Sequence, residues 1–485
     1  VEVSILVPCH APAHVDGAQA IGQSAPNQFL SPASAPANKL VTLPPGLEQL
    51  RALKHPIAFG NYSKDNDLGG VTTWMESLIY RLHADGVPIV VQLLFYGDSI
   101  PDSGIWTRLQ TAGIPVQVTP CPLEKERAEP ERYVREILAF LNQYSPQVFL
   151  PNCRNSLYFA AAIAGSAGLP WVFTIHSDDP LFWDAARAVS VKKSGGIFVG
   201  GSQYICEQVI KTRLHTSPQL IAYGVPIPTA CSAYCDQPFR IAYAARIIEE
   251  QKRFSLVLQA LALACRTDHR IECWIIGDGP AAESSRAWVA HQGLGERMQF
   301  KGKLDLSNFR DTIRQCQATL LMSDYEGLPI SLLEAMACGV VPVARAIPSG
   351  IPELVLDGET GLLVDANPER AAAALIRLVD DPDLWRRCSQ ASRRLIAENY
   401  GEDISYYNWV KLLAKLSDKN SIQYPLSMPK SIPIPFRYRP AVLEFQTKAT
   451  SMKWQLRIIW YCWFLPVLLI PRNATRKLFN SLLRS

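Results

Sequence analysis

The strongest constraint in this sequence is an alternation that occurs twice. Short apolar runs, each long enough for one β-strand, are separated by stretches with helical period. The first set is IAF (residues 57–59), IVVQLLFY (89–96), VFL (148–150), WVFTI (171–175) and IFV (197–199). A Gly-rich turn follows the first run and leads into a helix over about 71–83. A strand that is apolar throughout has no face to give to water. It belongs in a parallel sheet covered on both sides by the intervening helices. A break at 226–238 holds three prolines. The alternation then restarts with RIAYAA, ECWIIG, MQFKG, ATLLM and VVPVA. The expectation is an α/β protein with two doubly wound, Rossmann-like domains in tandem, over 55–228 and 238–400. A helix within 401–420, from about Ile404 to Leu416, is expected to close the second unit.

The length of 485 residues fits two or three domains, and 48% hydrophobic with 19% charged residues describes a globular chain. A net charge of +4 is too small to argue for a nucleic-acid partner. The twelve cysteines are scattered, and the closest pair, Cys231 and Cys235, has no second pair to complete a metal site. Free thiols in a reducing cytosol are the simplest reading, so the expected location is cytoplasmic. No secretory signal is visible at the amino terminus. Residues 1–54 read as a disordered extension, rich in Ala, Pro and Ser after a short strand-like run at 3–8. That run, in VSILVPCHAP, resembles the opening strand of inverting family 2 glycosyltransferases, but nothing after it continues their fold.

The tail, 421–485, carries ten Lys or Arg and a single acid, Glu444. Its apolar stretch IIWYCWFLPVLLI (458–470) is interrupted by Pro466. It is shorter than the roughly 20 residues that a spanning helix needs. Aromatics flanked by Arg457 and Arg472 suit a segment lying at a membrane surface. A helix docked on the protein's own surface is the other reading.

The stretch SDYEGLPISLLEAMACGVVPV (323–343) places Glu326 and Glu334 eight residues apart. ATLLM is a buried strand, and SDYEG is the loop at its carboxyl end. Pro329 suits the first turn of a helix, and Gly339 ends it. Glu326 therefore lies in the loop and Glu334 one turn into the helix. Gly327, Leu328 and Ile330 lie between them, at a helix N-terminus whose backbone N–H groups form an anion site. Two carboxylates for hydroxyl groups and amides for a phosphate are what a nucleotide sugar requires. Two surface glutamates on an ordinary helix would give the same spacing.

EGLPISLLEAMACGVVPVA, followed by GIPELVLDGETGLLV (350–364), resembles the E-x7-E signature of retaining glycosyltransferases of family 4, which have the GT-B fold. The resemblance covers roughly 56–416. It implies two Rossmann-like domains facing across a cleft, with the donor mainly on the second and the acceptor mainly on the first. YAARIIEEQKRFSLVLQAL (243–261) resembles the family's strand–Arg–loop–Lys–helix element, and Arg246 and Lys252 match its basic positions. Fixed cations there would stabilise the charge that builds on a departing nucleoside diphosphate. Ala245 departs from the family's usual Gly. DLGGVTTWMESL (67–78) resembles the first glycine loop, where Gly69 and Gly70 let a ligand approach the backbone. His176, in TIHSDDP, resembles the histidine that faces the donor sugar, while Asp178 and Asp179 suit caps of the next helix. IIGDGP (275–280) lacks a full dinucleotide fingerprint, and Gly277 and Asp278 are placed beside the nucleotide. KGKL (301–304) falls where the family holds the base through backbone.

The implied reaction is a metal-independent, retaining transfer of a sugar from a nucleotide sugar to a hydroxyl acceptor. Glu334 is expected to hold the ribose and Glu326 the transferred sugar. Arg246, Lys252, Glu326 and His176 form the expected catalytic set. The nucleotide sugar is a substrate, no cofactor is expected, and UDP and GDP donors are not distinguished. A glycan or lipid-linked acceptor, in cell-surface glycan or glycolipid synthesis, is consistent with a membrane-facing tail. Two rival readings are a nucleotide-sugar-binding protein without catalysis and an NAD-dependent enzyme.

Overall fold

The apolar runs become two parallel sheets, each buried between helices. A computed structural model describes residues 43–63, 69–100, 102, 104–190, 195–214, 216–418, 422 and 424–427. The first lobe contains β1 (Ile57–Ser63), β2 (Ile89–Phe95), β3 (Val116–Pro120), β4 (Val148–Pro151), β5 (Trp171–Ile175), β6 (Gly196–Gly200) and β7 (Gln219–Leu220). They are ordered β3-β2-β1-β4-β5-β6-β7, and every pairing is parallel. The second lobe contains β8 (Phe239–Ala244), β9 (Ile271–Ile276), β10 (Met298–Gly302), β11 (Ala318–Leu321), β12 (Val341–Arg345) and β13 (Leu362–Val364), ordered β10-β9-β8-β11-β12-β13. In both sheets the order reverses once, between β1 and β4 and between β8 and β11. That reversal is the doubly wound pattern expected from the sequence.

Strands β1, β2, β4, β5, β6, β8, β9, β10, β11 and β12 lie on the runs read as strands, and β2 and β5 are buried at every position. Three strands have no such signal. In β3, VQVTP mixes polar and apolar residues at the edge of the sheet and is mostly half-buried. β7 has two residues, both exposed, and β13 has three.

Two segments differ from the sequence reading. Residues 47–54 do not belong to a disordered extension, because Leu47–Arg51 is a helix with Leu47 and Leu50 fully buried. Its partner is the helix Glu402–Ser417, expected to close the second lobe. That helix instead docks on the first. Ser405 Oγ donates to the Ala222 carbonyl at 2.7 Å, and Trp409 packs on Trp74 with ring centroids 5.5 Å apart. Arg81 pairs with Asp403 at 2.5 Å, and Gln49 donates to the Ala414 carbonyl at 2.9 Å. The physical reason is cover. Tyr406, Trp409, Val410, Leu412 and Leu413 need an apolar partner, and Leu50, Trp74 and Leu82 offer one. A hydrophobic pattern shows that a helix must be covered but not by which lobe.

Residues 422 and 424–427 return to the first lobe. Leu426 is buried, its N–H donates to Asn142 Oδ1 at 2.5 Å, and Tyr424 Oη donates to the Pro146 carbonyl at 2.7 Å. The strand-like run at 3–8 and the apolar stretch of the tail at 458–470 lie outside the described residues. Among the described residues, no helix is long and apolar enough to cross a membrane.

Leu50→Ala removes a fully buried side chain from the contact between the two terminal helices. It is expected to cost about 2–5 kcal/mol, read from the midpoint of urea unfolding. A midpoint equal to wild type would show that Leu47–Arg51 does not dock.

Candidate functional site

At the switch point of the second sheet the chain leaves β8 and β11 in opposite directions, opening a crevice at their carboxyl ends. The loop after β8 carries Arg246 and Lys252, and the loop after β11 carries Glu326. Lys252 Nζ lies 2.5 Å from Glu326 Oε1, with side chains 12% and 7% exposed. A charge pair this sheltered from water is held strongly, because removing one partner strands the other. Gln251 joins the same two loops. Its Nε2 donates to the Tyr325 carbonyl at 3.1 Å, and its own carbonyl accepts from Asp324 N–H at 2.9 Å. Its Oε1 accepts from Arg246 at 2.6 Å. Arg246 is otherwise exposed.

The turn after β9 closes against this loop. Gly277 has φ +139°, and a Cβ there would lie 2.0 Å from the Ala245 carbonyl oxygen. Only glycine fits. Gly277 N–H donates to the Gly302 carbonyl at 2.8 Å, and the Asp278 carbonyl accepts from Ile247 N–H at 2.9 Å. Thus Gly277 and Asp278 border the loop that bears Arg246 and Lys252, and the KGKL segment meets the turn at Gly277.

Glu334 lies on the helix Ile330–Ala337, with Pro329 preceding it and Gly339 (φ +76°) beyond its end. Its surroundings are not those of Glu326. Loss of solvent pushes its carboxyl up to about 7, and Arg310 acts in the opposite direction. The two glutamates therefore have different electrostatic settings: one is paired with a lysine, the other is held close to neutrality.

The first lobe brings its own carboxyl-end loops to the same place. Gly69 precedes the helix Gly70–Ala84, and a Cβ on Gly70 would lie 3.3 Å from Ile330 Cβ. A Cβ on Gly327 would lie 2.2 Å from the His176 carbonyl oxygen. Leu328 is buried, and a Cβ on Gly201 would lie 3.8 Å from Leu328 Cβ. Glu353 of the second lobe accepts from Gln203 and Tyr204 N–H at 3.0 and 2.9 Å, at the N-terminus of the helix Gln203–Lys211. A carboxylate there satisfies orphan donors and meets the positive end of the helix dipole.

His176, at the end of β5, is buried, and burial pushes its imidazole down to about 3, so the ring is neutral. Both ring nitrogens have protein partners: Nδ1 lies 2.5 Å from Tyr223 Oη and Nε2 2.6 Å from Asn152 Oδ1. Asp179 caps the next helix through Leu181 N–H, and Asp178 accepts from Trp183 Nε1 and Tyr204 Oη. Sequence reasoning missed Gln251, Asn152, Tyr223 and Asn61. Asn152 had a signal, because it ends VFLP as His176 ends WVFTI. Tyr223 lies in a coil between β7 and the linker, where no pattern marks it.

The sign of the Glu334 shift makes a prediction. The folded protein keeps the proton up to about pH 7, whereas an ordinary glutamate in the unfolded chain releases it near 4.5. The folded state binds more protons in that window, so stability falls as pH rises from 4.5 to about 7 and is level above it. Glu334→Gln is expected to remove this slope and to gain relative to wild type above pH 7, read from urea unfolding at several pH values. An unchanged slope would remove Glu334 as its source.

Comparison with known proteins matches each lobe separately. A model for "Glycosyl transferase 4-like domain" matches residues 69–196, and one for "Glycosyl transferases group 1" matches 235–395. N-acetyl-alpha-D-glucosaminyl L-malate synthase of Bacillus anthracis is 30% identical over 172 residues, 35% of this chain and 44% of that protein. Alpha-D-kanosaminyltransferase of Streptomyces kanamyceticus is 32% identical over 167 residues, 34% of this chain and 42% of that one. The chain thus spans less than half the length of these relatives. Among solved structures, Anabaena HepE in complex with UDP is similar over 74% of this chain and 100% of its own, with TM-score 0.60 and 17% identity. Sucrose-phosphate synthase from Thermosynechococcus elongatus is similar over 74% and 98%, with TM-score 0.62 and 18% identity. Both lobes are matched in order by glycosyltransferase models, and the fold is shared with these structures: the chain belongs to the glycosyltransferases of the GT-B fold and family 4 type.

Proposed function

We propose that the chain transfers a sugar from a nucleotide-sugar donor to a hydroxyl group of a glycan or lipid-linked acceptor, with retention of configuration and without a metal ion. The observation that carries this reading is the sheltered Lys252–Glu326 pair at the switch point, 2.5 Å apart, with Arg246 beside it on the same loop. A cation positioned before the reaction needs no reorganisation when charge develops on a leaving diphosphate. Lys252 has three N–H donors, so it can keep Glu326 while taking a phosphate oxygen. Arg246 supplies a planar fork suited to the same group.

In this scheme the bond between the anomeric carbon and the diphosphate oxygen breaks. The acceptor oxygen bonds to that carbon on the same face, and its proton passes to the leaving phosphate. Glu326 holds hydroxyls of the transferred sugar and Glu334 those of the ribose. The backbone at Gly69, Gly70, Gly327 and Ile330 lies against the phosphates. Gly277 and Asp278 border the nucleotide, and Leu328 is part of the apolar contact between the lobes. The acceptor lies on the first lobe. The close approach of the lobes excludes water, which disfavours hydrolysis of the donor.

A panel of UDP- and GDP-linked sugars, each labelled in the sugar, tests the reading. Transfer to an alcohol or glycan acceptor with the anomeric configuration kept is expected, and Arg246→Ala is expected to lower turnover by about a hundredfold. An effect below about threefold on turnover would remove its leaving-group role. Binding of a nucleotide without turnover on any donor would instead support the non-catalytic reading.

The tail is proposed to hold the protein at the cytoplasmic face of a membrane through its basic and aromatic residues. Because Tyr424 and Leu426 pack on the first lobe, the informative truncation keeps them and ends at Ser427. Full-length protein is expected to float with anionic liposomes and the truncated form to stay in solution. Equal flotation of the two would end this proposal.

A further inference from the structure

A hydrogen-bond chain crosses the carboxyl ends of β1, β4 and β5 and ends on His176. We propose that Asn61 and Asn152 are positioning residues that fix His176 as the neutral Nε2–H tautomer, with Tyr223 donating to its Nδ1. Tyr62 N–H is a backbone amide, so it can only donate, and it lies 2.9 Å from a side-chain atom of Asn61. That atom must be Oδ1. The same oxygen lies 3.1 Å from a terminal side-chain atom of Asn152, which must therefore be the donor Nδ2. The other terminal atom of Asn152 is then Oδ1, an acceptor, and it lies 2.6 Å from His176 Nε2. Nε2 must carry the proton. A neutral imidazole has one N–H, so Nδ1 presents a lone pair, and Tyr223 Oη, 2.5 Å away, must donate to it. Cys153 Sγ, 3.2 Å from Asn152 Oδ1, fits the same assignment as a weak donor.

Three further facts support the assignment. Asn61 is fully buried, and its Nδ2 has no partner, so what the fold uses is its oxygen. Leaving a buried donor unmet has a cost, which a merely space-filling asparagine would not justify. The ring is neutral throughout the ordinary pH range because burial opposes its charged form. Trp74 and Phe182 meet the imidazole edge-on and Tyr223 stacks with it, with centroids at 5.6, 5.7 and 6.0 Å, so the ring is also held in rotation.

The consequence reaches the other lobe. The His176 carbonyl abuts Gly327, next to Glu326, so whatever fixes His176 fixes the surface against which the loop after β11 closes. A ring with this tautomer commits its Nε2–H to Asn152 and its Nδ1 lone pair to Tyr223, and cannot act as a general acid near neutrality. The link to turnover rests on the proposed glycosyltransferase reading. The tautomer does not.

The test uses the full chain labelled with 15N at histidine and a long-range proton–nitrogen correlation spectrum. The sequence has eight histidines, and His176→Gln identifies the signal of interest. In wild type, Nε2 is expected in the protonated region and Nδ1 in the unprotonated region, unchanged from pH 8 to about pH 5. An Nδ1–H tautomer, or an imidazolium in that range, would overturn the proposal. Asn61 does not touch His176, so Asn61→Leu separates a relay from simple packing. Without the Asn61 oxygen, the Asn152 amide is free to turn, and the signal is expected to become a mixture of both tautomers. Asn61→Asp keeps both acceptor contacts and is expected to restore the single wild-type signature. An unmixed wild-type signature in folded Asn61→Leu would overturn the relay. In a transfer assay Asn61→Leu is expected to lower turnover about tenfold or more. The expected tautomer with no transfer from any donor would count against the glycosyltransferase reading and leave the relay standing.

Discussion

The two lobes meet through backbone at Gly327, where the absence of a side chain lets the loop after β11 press against the His176 carbonyl. Any Cβ there would lie 2.2 Å from that oxygen, well inside van der Waals contact, so the lobes would have to part. Other contacts hold the same relation. Glu353 accepts from the first two N–H groups of the helix Gln203–Lys211, and a Cβ on Gly350 would lie 2.9 Å from Ser202 Cβ. The helix Glu402–Ser417 carries the chain from the second lobe back onto the first, with Val225 and Gly401 paired as an isolated bridge where it crosses. The site at the switch point therefore exists only while these contacts bring the two sets of carboxyl-end loops together.

Electrostatics within the site follow from how much water each group keeps. Lys252 and Glu326 are nearly dry and neutralise each other, so neither is an isolated buried charge at rest. Glu334 has no such partner, and its proton affinity rises instead. His176 is driven the other way, toward the neutral ring, by the same loss of solvent. Arg246 keeps its contact with water and with Gln251, which leaves its charge exposed.

The parallel sheets were legible in the sequence because buried strands are apolar at consecutive positions. WVFTI and IVVQLLF leave no other arrangement once helices lie between them. The Glu326 loop and the Glu334 helix were legible for a local reason: Pro329 and Gly339 mark where the helix starts and stops. Edge strands such as β3 and β7 left no mark, since half their surface faces water and mixed residues suffice. Gln251 and Asn61 left none either. Each acts through a partner distant in sequence: Tyr325 is 74 residues from Gln251, and Asn152 is 91 residues from Asn61.

What the sequence alone determined is everything set by neighbours along the chain: strand and helix, the two-lobe division at the prolines, and the residue types offered at each strand's carboxyl end. What only the tertiary structure decided is which of those residues meet. The helix Glu402–Ser417 needed apolar cover, and the first lobe supplied it. Lys252 needed a counter-ion, and Glu326 came to it from another loop. The tautomer of His176 depends on hydrogen-bond direction passed through two asparagines. The physical reason is the range of the forces involved. Backbone preference and hydrophobic period act over a few residues, whereas charge pairing, hydrogen-bond direction and close packing act through space, and come into being only when the chain has folded.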